Sequence, residues 1–392
     1  MNKNEISCQV NTVVQKPNPS SIAFANEQIA NNISQFHSSI PNYIPTPLVK
    51  LSTLAKHLGI NEILVKDESQ RFDLNAFKVL GASFAIAKYL AEMLKQKEDE
   101  LTFQKIITEQ SKYKGITFVT ATDGNHGRAV AWAAKLFGCK SVVYMPKSSS
   151  LARLESIKNY GADASITSMN YDDTVVYASQ QAQKENWVLL QDTSWEGYEK
   201  TPLHIMQGYC TLLKEYMSQE QEIWPTHVFV QAGVGSLAAA ILAYLCNITD
   251  RPMPKFIVVE PTGAPCLFES KRQDKRFTVT GDLSTIMAGL ACGEPSHIGW
   301  EILRLAANAF LKCSDNVARR GMKVLGNPLE GDQRIVSGES GAVTLGALFD
   351  ILSNKECYEI KEELSLTKDS NVLLFSTEGD TDPGAYLDVV WL

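Results

Sequence analysis

Short, uninterrupted apolar runs alternate along this chain with longer stretches of helical periodicity. The runs are "ILVK" from Ile63, "ITFVT" from Ile116, "SVVYM" from Ser141, "WVLLQ" from Trp187, "HVFVQ" from His227, "FIVVE" from Phe256 and "VLLFS" from Val372. They are continuous rather than alternating, as expected of strands covered by helices on both faces. Between them the pattern predicts helices such as Asn125–Phe137, closed by Gly138, and Ser236–Cys246. Repeated strand–helix units predict an α/β protein with doubly wound parallel sheet. A length of 392 residues suits two subdomains.

"VFVQAGVGSLAAAILAYLC" is the one stretch that raises a membrane question. Gln231 and the Gly233–Ser236 turn divide it into a strand and a helix too short to span. Low complexity is confined to the polar opening, "MNKNEISCQVNTVVQKPNPSS", which lacks the apolar core of a signal peptide. A net charge of −7 gives no electrostatic reason to expect nucleic acid. Eight scattered cysteines without a C-x-x-C pair show no zinc spacing, and no metal is expected. These features point to a reduced, cytoplasmic protein, with a single disulfide left open.

Ligands of doubly wound sheets bind at the carboxyl ends of strands, so the residues that follow each strand are the informative ones. After "ITFVTAT" comes "DGNHGR", a glycine turn opening a helix whose free N–H groups can hold an anion. Asp123 and Asn125 sit on that turn; the same tripeptide is also an ordinary cap sequence, and His126 carries no assigned chemistry. After "HVFVQ" comes "AGVGS", which resembles a phosphate cradle but matches neither nucleotide fingerprint. A carboxylate introduced at Gly235 is expected to project toward that phosphate. After "VLLF" comes "STEGDTD", with neutral hydroxyls at Ser376 and Thr377; the following Asp380 and Asp382 suit a site or a solvated loop equally.

"LNAFKVLGAS" completes the set. With Asn75 as N-cap, Lys78 falls in the first turn of an apolar helix, where dipole and burial both favour the neutral, nucleophilic amine. A lysine whose stem covers apolar surface while its head reaches water is the competing explanation. A nucleophilic lysine, a phosphate cradle, a strand-end hydroxyl and an anion-holding turn together suit pyridoxal 5′-phosphate, which carries an aldehyde, a phosphate and a pyridine ring.

The motifs "YIPTPL", "LVKDES-RF-LNAFK-LG", "TDGNHGR", "MNYDDTV", "QDTSWEGY", "QAGVGS", "TIMAGLACGEP", "SGESGAV" and "STEGDTD" carry a resemblance from about Tyr43 onward. The chain resembles the fold-type II pyridoxal-phosphate enzymes, which include threonine synthase, serine and threonine dehydratases and tryptophan synthase β. Within them it is most similar to the diaminopropionate ammonia-lyases. The resemblance implies two subdomains, each with a mainly parallel sheet flanked by helices. The large one would comprise residues 41–85 and 200–392 and bind the cofactor, the small one 86–199, and 1–40 would be an N-terminal segment. It further implies Lys78 as the Schiff-base lysine, Asn125 at the cofactor O3′ and Gly233, Val234, Gly235 and Ser236 at the phosphate. Ser376 would face the pyridine nitrogen, and Glu339 would stand near the ring. Thr122, Asp123, Gly124, Asn125 and His126 would hold the substrate, and the enzyme would be a homodimer.

Departures from the dehydratase pattern refine the reaction. Asp123 stands where those enzymes carry serine, Ala76 precedes Phe77 and Lys78, and Leu80 replaces an arginine. A carboxylate beside the substrate α-carbon is a poor neighbour for an anionic leaving group; it suits an ammonium on Cβ and can also take a proton. Asp192 adds a second acid, or serves only as a helix cap. The expectation is α,β-elimination of D- and L-2,3-diaminopropionate to pyruvate and ammonia. Lys78 would serve the L isomer and Asp123 the D isomer, with Asp192 binding or protonating the leaving amine. A serine or threonine ammonia-lyase and a non-catalytic pyridoxal-phosphate-binding protein are the rivals.

Overall fold

The computed structural model describes residues 5–97, 100–122, 124–147 and 149–392, and within them the strands sort into two sheets. In chain order the strands are β1 (Ile6–Val10), β2 (Leu48–Lys50), β3 (Glu62–Asp67), β4 (Thr117–Ala121), β5 (Lys140–Met145) and β6 (Asp163–Ile166). They continue with β7 (Val188–Leu189), β8 (His227–Gln231), β9 (Lys255–Pro261), β10 (Ala309–Cys313) and β11 (Asn371–Ser376). The larger sheet runs β1-β10-β9-β8-β11-β3-β2 and is antiparallel only at its two edges. The smaller sheet, β6-β5-β4-β7, is wholly parallel. The expected α/β, two-sheet architecture is therefore present, and each apolar run lies on a strand.

Three expectations are corrected. The "WVLLQ" run keeps only Val188 and Leu189 as strand, because the Gln191 side chain takes over at the ladder's end. Its Oε1 accepts from Ala121 N and Thr120 Oγ1, each at 3.0 Å. The polar opening is not a segment apart: β1 pairs with β10, and helix Glu27–Ser38 buries Ile33 and Phe36 in the principal core. Asn75 does not cap the lysine helix, which spans Lys78–Met93 with Phe77 at the cap position. Phe72, Asp73 and Asn75 all take left-handed φ angles of 51–57°, so the chain turns sharply just before the helix. Phe77 N then donates to Thr377 O at 3.1 Å, and Gly379 N donates to Asn75 O at 2.9 Å, strapping this lead-in to the end of β11.

Behind the lead-in lies a buried ion cluster. Arg71 bonds both Glu68 and Glu215, and Lys66 Nζ lies 2.6 Å from Glu215 Oε2. Charges balance, and the guanidinium geometry fixes the loop that delivers Lys78.

Helix Lys78–Met93 packs against helix Lys200–Gln219 on one side and helix Asn125–Phe137 on the other. It thus bridges the bodies built on the two sheets, and the expected boundary at residue 85 falls within it. The first crossing is very close. A Cβ on Gly208 would stand 2.3 Å from Leu80 O, and one on Gly81 would stand 2.7 Å from Ile205 and Tyr209 side-chain carbons. Only glycine permits that approach. Among the described residues no helix is long and apolar enough to cross a membrane.

Candidate active site

A cleft enclosing about 780 Å³ of non-atom space, open solvent at its mouth included, lies at the carboxyl ends of β4, β7, β8 and β11. Lys78 enters it from the first position of its helix, and Asn125 from the start of helix Asn125–Phe137. Gly233, Val234, Gly235 and Ser236 line it between β8 and helix Ser236–Asn247. Among the described lining residues Lys78 is the one lysine or arginine.

Lys78 Nζ lies 2.5 Å from Asp192 Oδ2, and both side chains are largely buried. Burial works against the ionised Asp192 carboxylate, but the electrostatic influence of His126 and Lys78 outweighs it, and the group is held down at about 2. Burial lowers the pKa of the His126 imidazole, opposed by the Asp192 carboxylate. Lys78 adds to its electrostatic pull a direct hydrogen bond to Asp192 Oδ2, which favours the ionised carboxylate. The Asp192 backbone carbonyl accepts from Ser236 Oγ at 2.7 Å, which joins the Asp192 loop to the glycine turn.

Asn125 donates from Nδ2 to Glu378 Oε2 and accepts from Arg128 Nη2 at 3.1 Å, leaving one amide hydrogen for a ligand. Thr122 lines the cleft, and its Oγ1 accepts from Gly124 N at 3.0 Å, holding the turn. Asp123, expected to be a catalytic and substrate-binding acid, lies outside the described residues.

Two residues expected at the cofactor are not among those lining the cleft. Ser376 is buried with its hydroxyl against Ser337 Oγ at 2.9 Å, and the cleft is lined instead by Thr377, whose Oγ1 accepts from Gln231 Nε2 at 2.6 Å. Glu339, at the start of helix Glu339–Ser353, does not line the cleft; its neighbour Ser340 does. Burial, with the nearby Glu378 carboxylate, pushes Glu339 up to about 7. Glu378 itself lines the cleft and ties Asn125 to Ser340 N, which donates to Glu378 Oε1 at 2.9 Å. Sequence patterning missed Glu378, whose one signal is its place at the third position after β11's apolar run.

The residues fit a phosphorylated pyridine aldehyde. His126 Nδ1, Gln231 Oε1 and Ser340 Oγ are buried without hydrogen-bond partners among the described residues, and all three residues line the cleft. The glycine turn opens a twelve-residue helix, whose first N–H groups point outward with the positive end of the dipole. A Cβ on Gly233 would stand 3.0 Å from Cys292 Sγ and 3.3 Å from Gly289 O, so the two loops form a narrow backbone-lined seat. Position 235 departs from expectation: a Cβ there would meet Leu303 at 3.0 Å and Leu267 at 3.2 Å, not the anion seat.

Comparison with known proteins agrees with this chemistry. The family described as "Pyridoxal-phosphate dependent enzyme" matches residues 40–375. Diaminopropionate ammonia-lyase of Escherichia coli (strain K12) is 50% identical over 359 residues, covering 91% of this chain and 90% of that protein. The same E. coli enzyme, solved in complex with an aminoacrylate-PLP azomethine reaction intermediate, superimposes with a TM-score of 0.91 at 46% identity, covering 98% of this chain and 97% of that one. Its complex with D-serine gives a TM-score of 0.91 at 45% identity over the same shares. An L-threonine dehydratase of Staphylococcus aureus is 26% identical over 357 residues, 90% of this chain and 92% of that protein.

Proposed function

Because the chain belongs to the pyridoxal-phosphate dependent enzymes and, within them, to the diaminopropionate ammonia-lyases, we propose that it splits D- and L-2,3-diaminopropionate into pyruvate and ammonia by α,β-elimination. Its cofactor is pyridoxal 5′-phosphate. When bound, that group supplies an aldehyde for amines and a conjugated ring that takes up the electron pair left at Cα.

The protein's own residues supply the rest. Lys78 would hold the cofactor through its aldehyde and would take the Cα proton from the L isomer. Asp123 takes it from the D isomer, which presents the opposite face while its carboxylate stays on the same turn. The Gly233–Ser236 turn would seat the phosphate, Asn125 would offer its remaining amide hydrogen to the cofactor, and Thr377, which lines the cleft where Ser376 does not, would supply the strand-end hydroxyl.

The observation that carries the choice of leaving group is Asp192. Held ionised at about 2, it has no proton to give a departing hydroxide at neutral pH. It does suit an ammonium, which needs no further proton: when the Cβ–N bond breaks, its electron pair stays on nitrogen and neutral ammonia leaves. A serine or threonine lyase is therefore less well served by this site. The deciding experiment is pyruvate release from D- and L-diaminopropionate, L-serine and L-threonine side by side. Diaminopropionate should dominate in kcat/KM, and a preference for either hydroxy amino acid would reverse the assignment. The family resemblance supports a homodimer, which sedimentation of the holoenzyme tests.

A further inference from the structure

His126 is only 2% exposed and opens the second position of helix Asn125–Phe137. Its Nε2 lies 2.8 Å from Leu190 O, and a carbonyl only accepts, so Nε2 carries the hydrogen. In the neutral ring, Nδ1 is then a bare acceptor. It has no hydrogen-bond partner among the described residues and faces Asp192 Oδ2 at 3.8 Å. Two acceptors thus face each other across a gap too wide for a hydrogen bond; Asp192 Oδ2 is met by Lys78 Nζ at 2.5 Å, and His126 Nδ1 is left without a donor among the described residues. Such a buried, unsatisfied acceptor is costly unless something fills it.

We propose that His126 Nδ1 is a specificity determinant that, beside Asp192, receives the β-ammonium of the substrate and selects it over a β-hydroxyl. The proposal rests on the lyase assignment above and deepens it. An ammonium nitrogen is already accommodated at this carboxylate oxygen, where Lys78 Nζ stands at 2.5 Å. A nitrogen bearing three hydrogens can donate to Asp192 Oδ2 and His126 Nδ1 at once. A hydroxyl has one hydrogen and leaves one of the two acceptors unmet, the arrangement by which buried polar sites reject an analogue. The pair also keeps the departing amine protonated, so that it leaves as ammonia.

Two substitutions separate this role from packing. His126→Gln reaches the Leu190 carbonyl but lacks an acceptor at the Nδ1 position; His126→Asn offers an oxygen there and lacks the Leu190 bond. In the holoenzyme, His126→Gln should lower the kcat/KM ratio of diaminopropionate to serine by roughly 10–100-fold, as for a charge-assisted hydrogen bond. His126→Asn should keep most of the ratio. The same contrast should appear without turnover, in visible-band titrations of the Lys78→Ala protein loaded with cofactor.

A third measurement needs no change at His126. With ¹⁵N-labelled histidine in the Lys78→Ala protein, one Nδ1 resonance among the six histidines should shift with diaminopropionate and stay put with serine. Equal losses for both ligands, an Asn variant as damaged as the Gln variant, or an Nδ1 signal indifferent to diaminopropionate would each overturn the proposal. If wild-type enzyme releases no pyruvate from diaminopropionate, the lyase assignment fails on its own, while the titrations still report on His126.

Discussion

Lys78 Nζ and Asp192 Oδ2 form a 2.5 Å ion pair at the base of the cleft, and the carboxylate is the more deeply buried of the two. Replacing Asp192 by Asn keeps the shape and removes the charge that would hold the leaving ammonium. Turnover should fall roughly 10–100-fold on both isomers of diaminopropionate, as for loss of a charge-assisted hydrogen bond, while the cofactor's visible band persists. With its pKa held at about 2 against an ordinary 3.8, Asp192 stabilises the fold above pH 3.8, and that contribution is lost only as pH falls through about 2. An acid limb of the pH–rate profile near neutrality therefore belongs to another group. Steady-state rates of the parent and the Asn variant between pH 5 and 9 check the turnover and the acid limb, and acid unfolding below pH 4 checks the stability.

Asp123→Asn should behave differently from Asp192→Asn. Loss of a base that serves one face should cost the D isomer on the order of 10²–10⁴-fold and the L isomer far less. Equal losses on both would make Asp123 a substrate anchor instead of a base.

Glu339 sets a pH dependence of stability. Burial, reinforced by Glu378, raises it from 4.5 to about 7, so the folded protein keeps this proton after the unfolded chain has released it. The associated stability is full below pH 4.5, declines as pH rises toward 7 and is gone above it. Glu339→Gln should flatten that decline, so that the variant gains about 3 kcal/mol at most relative to the parent at pH 8. Urea unfolding of the two proteins at pH 5 and pH 8 gives the comparison; parallel pH curves would contradict the assignment.

Gly208→Ala tests the close helix crossing. A Cβ 2.3 Å from Leu80 O must push apart the two helices one turn beyond Lys78. A loss of about 1–3 kcal/mol is expected, together with weaker cofactor binding. Denaturation and cofactor titration report the two effects separately.

At Gly235 the φ of 95° and the contacts with Leu303 and Leu267 place the penalty in the backbone and core. Gly235→Ala and Gly235→Asp should therefore weaken cofactor binding to a similar degree. A loss confined to Asp would restore the simpler picture of a charge facing the phosphate.

What was legible in the chain follows from which signals are local. Helix Asn125–Phe137 and its stop were legible because Gly138 takes φ 73°, a conformation that glycine advertises by its presence. Lys78 and the Gly233–Ser236 turn were legible because each follows an apolar strand or opens an apolar helix. The choice between Ser376 and Thr377 was not: adjacent residues at a strand end face opposite ways, and which one reaches the cleft depends on register with β3, where Ser376 pairs with Asp67. Strand β1 was hidden because Ser7 and Gln9 make it look like a polar tail, and its partner β10 lies some 300 residues away. Asn75 misled because a left-handed turn and a helix cap favour the same residue.

Helix Lys78–Met93, gripped by a helix from each of the two bodies, is a beam shared between them. Lys78 stands at its end, with the glycine turn carried by one body and the Asn125 turn by the other, so the two halves of the cleft are gauged from a single piece of backbone.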